Sequence, residues 1–261
     1  GKELFLDATN SLLPIDFLPQ AYLGVEGWKL DIKNPGWVQV STPPISSNEI
    51  FLQLSIKEDG SISGTYKNTT TGYAAEKQRR LFLSSGKEEF RKVQLADLFN
   101  EVNIENLELK EVENLDEPLV VTCSFSTTDF VRKAGDRMYL DPFLGWGPSE
   151  NPFTQASRSY PIDFGAAYQR NVWVMYQIPQ GWSLDEKPES IKVTMPSKTL
   201  SFLYGSELSG PFLNMQSKYQ LNQSRFDARE YDGLRELYSK MSQVHAEPVV
   251  LKKDSVEGDS E

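Results

Sequence analysis

The sequence has one cysteine, one histidine and no apolar run that approaches the length of a membrane-spanning helix. A single cysteine excludes an intrachain disulfide, a cysteine-rich zinc site and an iron–sulfur cluster, and a single histidine excludes a multi-histidine metal site. Basic residues are in deficit, since 27 Lys and Arg stand against 37 Asp and Glu for a net charge of −10. This balance disfavours sequence-independent binding to nucleic acid. We therefore expect no cofactor, no metal, no nucleic-acid partner and no membrane span in this chain.

The length and apolar content are ordinary for a folded protein. The chain has 261 residues, of which 39% are hydrophobic and 11% aromatic, enough for one large domain or two small ones. It opens on Gly1 rather than methionine and has no signal-peptide pattern near that end. We interpret it as a fragment of a longer protein.

Short alternating segments separated by Pro and Gly dominate the chain. Leu52, Leu54 and Ile56 alternate with polar residues, and Asp59-Gly60 supplies the turn of a predicted hairpin. Residues 172–178 are apolar on both faces, which predicts a central strand buried on both sides. Residues 191–195, 200–204 and 213–221 also alternate with a period of two, and such a series is typical of a β-sandwich.

Helical patterns are fewer. Residues 74–83 and 88–99 combine good helix formers and contain neither Gly nor Pro. Tyr231, Leu234, Tyr238 and Met241 recur at helical spacing, after a capping-box variant formed by Asp227 and Glu230. The predicted fold is therefore mainly β (α+β), an antiparallel β-sandwich with two or three peripheral helices.

Candidate catalytic residues are scarce. Cys123 lies in an apolar strand with no adjacent cation, and His245 lies near the end of the chain, so nothing brings the two together. We interpret them as a buried structural cysteine and a surface histidine. Trp146, with Phe143 and Phe153 nearby, is a candidate aromatic sugar-binding platform, and the alternative is that these rings only pack in the interior.

The beginning of the chain carries a resemblance. Phe5-Leu6-Asp7-Ala8-Thr9-Asn10, followed by Leu13-Pro14 and Leu18-Pro19, resembles the last catalytic strand and the following loop of bacterial transglutaminase-like proteins. The resemblance implies that Asp7 is the third member of a Cys-His-Asp triad, in which a carboxylate orients the imidazole. The cysteine and histidine of that triad are absent from this chain.

The later part of the chain is similar to the domain of unknown function that follows the transglutaminase-like core in many of those proteins. The similar segments are Asp59-Gly60, Gly72-Tyr73-Ala74-Ala75, Asn151-Pro152-Phe153, Arg158-Ser159-Tyr160-Pro161-Ile162-Asp163-Phe164, Ile178-Pro179-Gln180-Gly181-Trp182, the helix with Tyr231, and Val250-Leu251-Lys252-Lys253. Members of that family are secreted or periplasmic, and some are regarded as cysteine proteases. The resemblance thus implies a periplasmic or extracellular location.

Together these patterns predict three segments. Residues 1–44 are the C-terminal remnant of a transglutaminase-like core, residues 45–251 are a β-sandwich accessory domain, and residues 252–261 are a disordered tail. The predicted function is a non-catalytic accessory domain that supports or positions the catalytic core, its partner in the same polypeptide. The alternative is a β-sandwich module that binds a glycan or a protein. A free-standing enzyme is disfavoured, because the chain has too few candidate catalytic residues.

Overall fold

The computed structural model describes residues 5–40, 45–95, 102–147, 150–196 and 198–255. Within them the chain forms two helices, α1 (Gly72–Gln94) and α2 (Tyr231–Ala246), and sixteen strands. The strands are β1 (Glu26–Lys29), β2 (Gly36–Gln39), β3 (Ser46–Ile56), β4 (Ile62–Thr70), β5 (Val102–Lys110), β6 (Leu119–Thr127), β7 (Val131–Ala134), β8 (Arg137–Leu140), β9 (Ile162–Asp163), β10 (Tyr168–Gln177), β11 (Trp182–Glu186), β12 (Ile191–Thr194), β13 (Leu200–Ser209), β14 (Phe212–Leu221), β15 (Arg225–Phe226) and β16 (Val249–Lys253).

One large sheet organises the molecule. Its eight strands lie in the order β12-β13-β14-β10-β3-β4-β6-β5, and a four-stranded sheet has the order β11-β16-β8-β7. Both sheets contribute buried side chains to one hydrophobic core. The mainly β, α+β class predicted from the sequence is confirmed.

The central pair of strands departs from an antiparallel sandwich. β3 and β10 pair in parallel, with Val172 opposite Ile50 and Val174 opposite Leu52. A parallel pair needs a long crossover, and here it contains β4 to β9 and α1. The sheet is therefore mixed at its centre and antiparallel elsewhere.

The helices follow the predicted patterns. The two segments predicted at 74–83 and 88–99 belong to α1, which is interrupted at Gly86, where φ is 80° and ψ is 178°. Residues 96–99 of the second prediction lie outside the described residues. A 3-10 turn precedes α2, and its capping box is present as predicted, with the Asp227 amide donating to Glu230 Oε2 over 2.9 Å.

The strand predicted at residues 172–178 is present in the centre of the sheet as part of β10, but the prediction that both of its faces are buried is wrong. β10 is central, and Val172, Val174 and Tyr176 are buried on one face. On the opposite face Trp173 is 43% exposed, and Phe51, its neighbour on β3, is 44% exposed. The reason is that the core lies against one face of the sheet only.

The inner face of the sheet is apolar at one end and polar at the other. Neighbouring residues in one row across β14, β10, β3 and β4 are Met215, Val174, Leu52 and Tyr66. Two rows further along the same face, the corresponding residues are Tyr219, Arg170, Asn48 and Thr70. The polar end lies where β3 and β10 begin.

The segment that resembles a last catalytic strand does not form a strand in the described residues. Residues 5–8 have no regular structure, since no neighbouring strand pairs with them there. Further along, Leu13, Phe17 and Leu18 are buried, and the Phe17 ring packs edge-on against Tyr73 of α1. The N-terminal segment is therefore attached to the sheet domain through α1.

The predicted boundaries fall partly outside the described residues. Residues 41–44, at the predicted boundary between the first two segments, and residues 256–261 of the expected tail are not described. Lys252 and Lys253, also assigned to that tail, are the last residues of β16. No helix within the described residues has the length and hydrophobicity needed to traverse a bilayer.

The close approach of β3 and β4 leaves no room for a side chain at Gly64. An added Cβ at this position would lie 2.0 Å from the carbonyl oxygen of Gln53. Gly64→Ala should therefore lower the free energy of unfolding by about 1–3 kcal/mol, because the backbone must shift. The matched control is Gly205→Ala in β13, where an added Cβ meets nothing within 4 Å; urea denaturation should place it within about 0.5 kcal/mol of the parent chain. Equal midpoints for the two variants would contradict this packing.

Candidate binding cleft

A cleft of about 600 Å³ opens at the polar end of the large sheet. Its floor is formed by β3, β10 and β14, and its walls by the first turns of α1, the middle of α2 and the loops before β9 and β10. Its lining residues include Gln20, Ser46, Asn48, Tyr73, Lys77, Gln78, Trp146, Phe164, Tyr168, Arg170, Ser217, Tyr219, Tyr238 and Met241. This volume lies within the range of small-molecule sites.

Arg170 is the most unusual of these residues. Its Nε atom is buried and has no hydrogen-bond partner among the described residues, and none of their carboxylates forms a salt bridge with its guanidinium. Asn48, directly opposite on β3, likewise has a buried and unpartnered Oδ1. Buried polar atoms are nearly always paired, so an unpaired donor and acceptor side by side in a cleft indicate a place for a ligand.

Tyrosine hydroxyls line the same space. The hydroxyls of Tyr219 and Tyr238 lie 2.9 Å apart, which connects β14 to α2 across the cleft. Burial raises the pKa of both phenols above the ordinary value of 10, so they stay protonated at neutral pH. Tyr73 donates its hydroxyl to the Leu18 carbonyl, and burial raises its pKa to about 12. The cleft therefore offers neutral hydroxyl groups beside one guanidinium.

Ser217 and His245 form a buried pair at the inner end of the cleft. The imidazole Nδ1 donates to the Met241 carbonyl over 2.8 Å, which leaves Nε2 as an acceptor for the Ser217 hydroxyl at 2.9 Å. Gly147 fits against this ring, because an added Cβ would lie 2.1 Å from His245 Cδ2. The pair is a satisfied hydrogen bond that joins β14 to the end of α2.

The expected surface position of His245 is wrong, because the side chain is buried. Burial holds the pKa of His245 below its ordinary value of 6.5, while its bond to Met241 and the nearby Asp141 carboxylate act in the opposite direction. The sequence pattern places His245 beyond the predicted helix, whereas α2 extends to Ala246 and its last turn contacts β14 through His245 and Ser217.

Cys123 is buried, as predicted. It lies on β6 opposite Tyr66, and desolvation raises the pKa of its thiol to about 12. A thiol with so high a pKa is a poor nucleophile at neutral pH. The hydrogen bonds of His245 go to Ser217 and Met241, so the described geometry does not pair the imidazole with Cys123.

The proposed aromatic platform is packed inside the molecule. Trp146, Phe143 and Phe153 are all buried, which counts against an exposed sugar-binding surface. Phe143 packs against His245, Phe153 packs against Tyr238, and Trp146 packs against Tyr66. Of the three rings, Trp146 lines the cleft. The loop that carries them closes the core rather than presenting rings to solvent.

Asp7 makes local contacts. Its Oδ1 accepts hydrogen bonds from the backbone amide and the hydroxyl of Thr9, the pattern of an Asx turn. Within the described residues, no group of three or more His, Cys, Asp or Glu side chains is placed to hold a metal ion.

Comparison with known proteins finds one family whose model matches part of the chain. Residues 136–251, just under half of the chain, match the family described as "Domain of Unknown Function with solved-structure structure (DUF3858)". The chain is also similar to a crystal structure of a "putative protease" from Parabacteroides distasonis, with a TM-score of 0.34 and 6% identity. That alignment covers 79% of this chain and 99% of the other, and at such low values it carries no inference about activity. No curated protein matches the chain.

The buried imidazole predicts a pH dependence of stability. Because the pKa of folded His245 lies below 6.5, the unfolded chain binds this proton more readily. The free energy of unfolding should therefore fall as the pH drops below 6.5, by up to about 1.4 kcal/mol per pH unit, until the folded pKa is reached. Urea denaturation between about pH 7.5 and 5.5 measures this slope. His245→Gln should be less stable at neutral pH but show a flatter profile, and equal slopes in both proteins would argue against a buried neutral imidazole.

Proposed function

We propose that this chain is a non-catalytic C-terminal accessory domain of a transglutaminase-like cysteine peptidase or transferase. In this proposal residues 1–44 complete the catalytic core, and the accessory domain begins at residue 45 and ends with β16. The observation that supports it most is the uncovered apolar surface of the hairpin formed by β1 and β2.

The hairpin exposes more apolar surface than its own two strands can cover. Trp28 and Trp37 face each other across the strands and remain 52% and 66% exposed, and Leu30 and Ile32 in the connecting turn are almost entirely exposed. A concentration of large apolar side chains on one small element marks an interaction surface. Tryptophan is also the residue that most often dominates the binding energy of an interface. In our proposal the occupant of this surface is the catalytic core of the same polypeptide.

The hairpin is linked to the sheet domain by the segment before it. Phe17 and Tyr73 pack with ring centres 5.2 Å apart, and the Asn10 amide donates to Glu76 of α1 over 3.1 Å. A core held by the hairpin would therefore be positioned relative to α1, whose first turns also line the cleft.

Asp7 keeps its proposed role as the triad carboxylate of the intact protein. Both of its hydrogen bonds to Thr9 are accepted by Oδ1 and hold the carboxylate in a turn, and a triad carboxylate must be held in a defined orientation. The periplasmic or extracellular location is likewise part of the proposal and is supported by the resemblance alone.

The accessory role predicts which surface the core uses. Trp28→Glu combined with Trp37→Glu should weaken binding of the chain to the separately produced catalytic core at least about 10-fold, because two central aromatic anchors are lost. Sedimentation or calorimetric titration measures this affinity. The melting temperature of the variant should stay near that of the parent chain, since both rings are exposed in it.

The matched control is Trp173→Glu, which replaces another exposed tryptophan, at 43% exposure, on the open face of the large sheet. It should leave the affinity for the core unchanged. The proposal is contradicted if the unmodified chain does not bind the core, or if the hairpin variant binds as tightly as the control.

A further inference from the structure

We propose that the cleft binds a carboxylate group carried on an apolar or aromatic body, and that Arg170 receives the carboxylate. This inference goes beyond the accessory role and does not depend on it, because the hairpin and the cleft are formed by different residues. Nothing in the family match assigns a ligand to this position.

The charge of the cleft favours an anion. The whole chain has a net charge of −10, yet none of the described residues that line the cleft is acidic, while Arg170 and Lys77 are basic. A random part of this surface would carry more carboxylates than cations. The cleft therefore has a local excess of positive charge on a protein whose overall charge is negative, and this excess favours an anionic ligand.

The state of Arg170 indicates which group it lacks. A partly buried guanidinium without a counter-ion bears a desolvation cost that a paired one recovers. The fork of guanidinium N–H groups matches the two oxygens of a carboxylate, and such charge-assisted pairs are among the strongest hydrogen bonds in proteins. The hydroxyl of Tyr219, on the strand beside Arg170, flanks the place where the carboxylate would lie.

The remaining lining indicates an apolar body. Rings from Trp146, Phe164 and Tyr168 line the space together with aliphatic side chains of Val172, Leu221 and Met241. A sugar acid would present a hydroxyl on almost every carbon and would leave several of them against these apolar groups without a partner. An aromatic or aliphatic acid instead buries its apolar part and directs one charged group to Arg170.

Two sources can supply this chemistry, namely a small carboxylic acid or the C-terminal residue of a peptide. N-acetyl-phenylalanine, its primary amide, N-acetyl-Ala-Ala-Phe with a free carboxylate, and galacturonate form a suitable set of probes for calorimetric titration into the full chain. We expect the two phenylalanine acids to bind, the amide to bind about 10- to 100-fold more weakly, and galacturonate to bind weakly or not at all. Tighter binding of the tripeptide identifies a peptide terminus, and equal affinities identify a small acid.

Arg170→Met supplies the decisive variant. It should weaken binding of N-acetyl-phenylalanine about 10- to 100-fold to the level of the amide, while its melting temperature stays equal to that of the parent chain or rises, since an unpaired charge is removed from a partly buried position. A merely structural arginine would show the opposite pattern, with lower stability. The matched control is Arg132→Gln, an exposed arginine in the neighbouring cleft, which should not change the affinity.

Three results would overturn the proposal. The first is the absence of binding by every probe. The second is equal binding of the acid and its amide, and the third is unchanged affinity in a folded Arg170→Met protein. Each of these leaves the docking role of the hairpin untouched, because that role is measured with different variants and a different ligand.

Discussion

The position of the Arg170 guanidinium on the inner face of the large sheet, with its Nε buried and unpartnered, is the constraint on which the arrangement of the cleft depends. A charged group on the inner face of a sheet must lie where solvent or a ligand reaches it. In this sheet Arg170 is near the beginning of β10, the next row on the same face still contains Ser217 and Asn68, and the row with Met215, Val174 and Leu52 is apolar. α1, α2 and the loop with Trp146 close around the charge, and no carboxylate in the described part of the chain forms a salt bridge with it. The result is a closed apolar core at one end and a polar cleft at the other.

The cleft is formed by residues on both sides of residue 136, where the segment that matches the family begins. Arg170, Tyr219 and Tyr238 lie within residues 136–251, but Asn48 and Gln78 precede them. The parallel pairing of β3 with β10 joins the two parts through continuous hydrogen bonding. A boundary between them at residue 136 would therefore cut the central pair of the large sheet.

Local patterns in the sequence predicted the helices and strands better than they predicted which strands lie side by side. The alternation of Leu52, Leu54 and Ile56, the Asp227–Glu230 capping box and the burial of Cys123 all follow from residues close together in the chain, and the structure confirms them. The pairing of Arg170 with Asn48 joins residues more than a hundred positions apart. Period-two alternation specifies the face of a strand but not the strand beside it, so neither the parallel pair nor the cleft could be predicted.

The Ser217–His245 contact was missed for a related reason. Ser217 was visible as the one polar residue in the alternating series Leu213, Met215, Tyr219 and Leu221, and this was the available signal. A polar side chain on an inward face needs a partner, but the choice among the polar residues of α2 depends on how the helix is rotated against the sheet. That rotation is set by tertiary packing, and no short pattern in the sequence indicates it.

The most direct test of the central claim is the signal of the Arg170 Nε–H group in a nitrogen–proton correlation spectrum, assigned by its loss in Arg170→Lys. The account predicts that titration with N-acetyl-phenylalanine shifts this signal downfield and saturably, while the amide at the same concentrations shifts it much less, because only the acid supplies a charged acceptor. A signal that does not move with the acid, or that moves equally with the amide, would contradict the assignment of the cleft to a carboxylate.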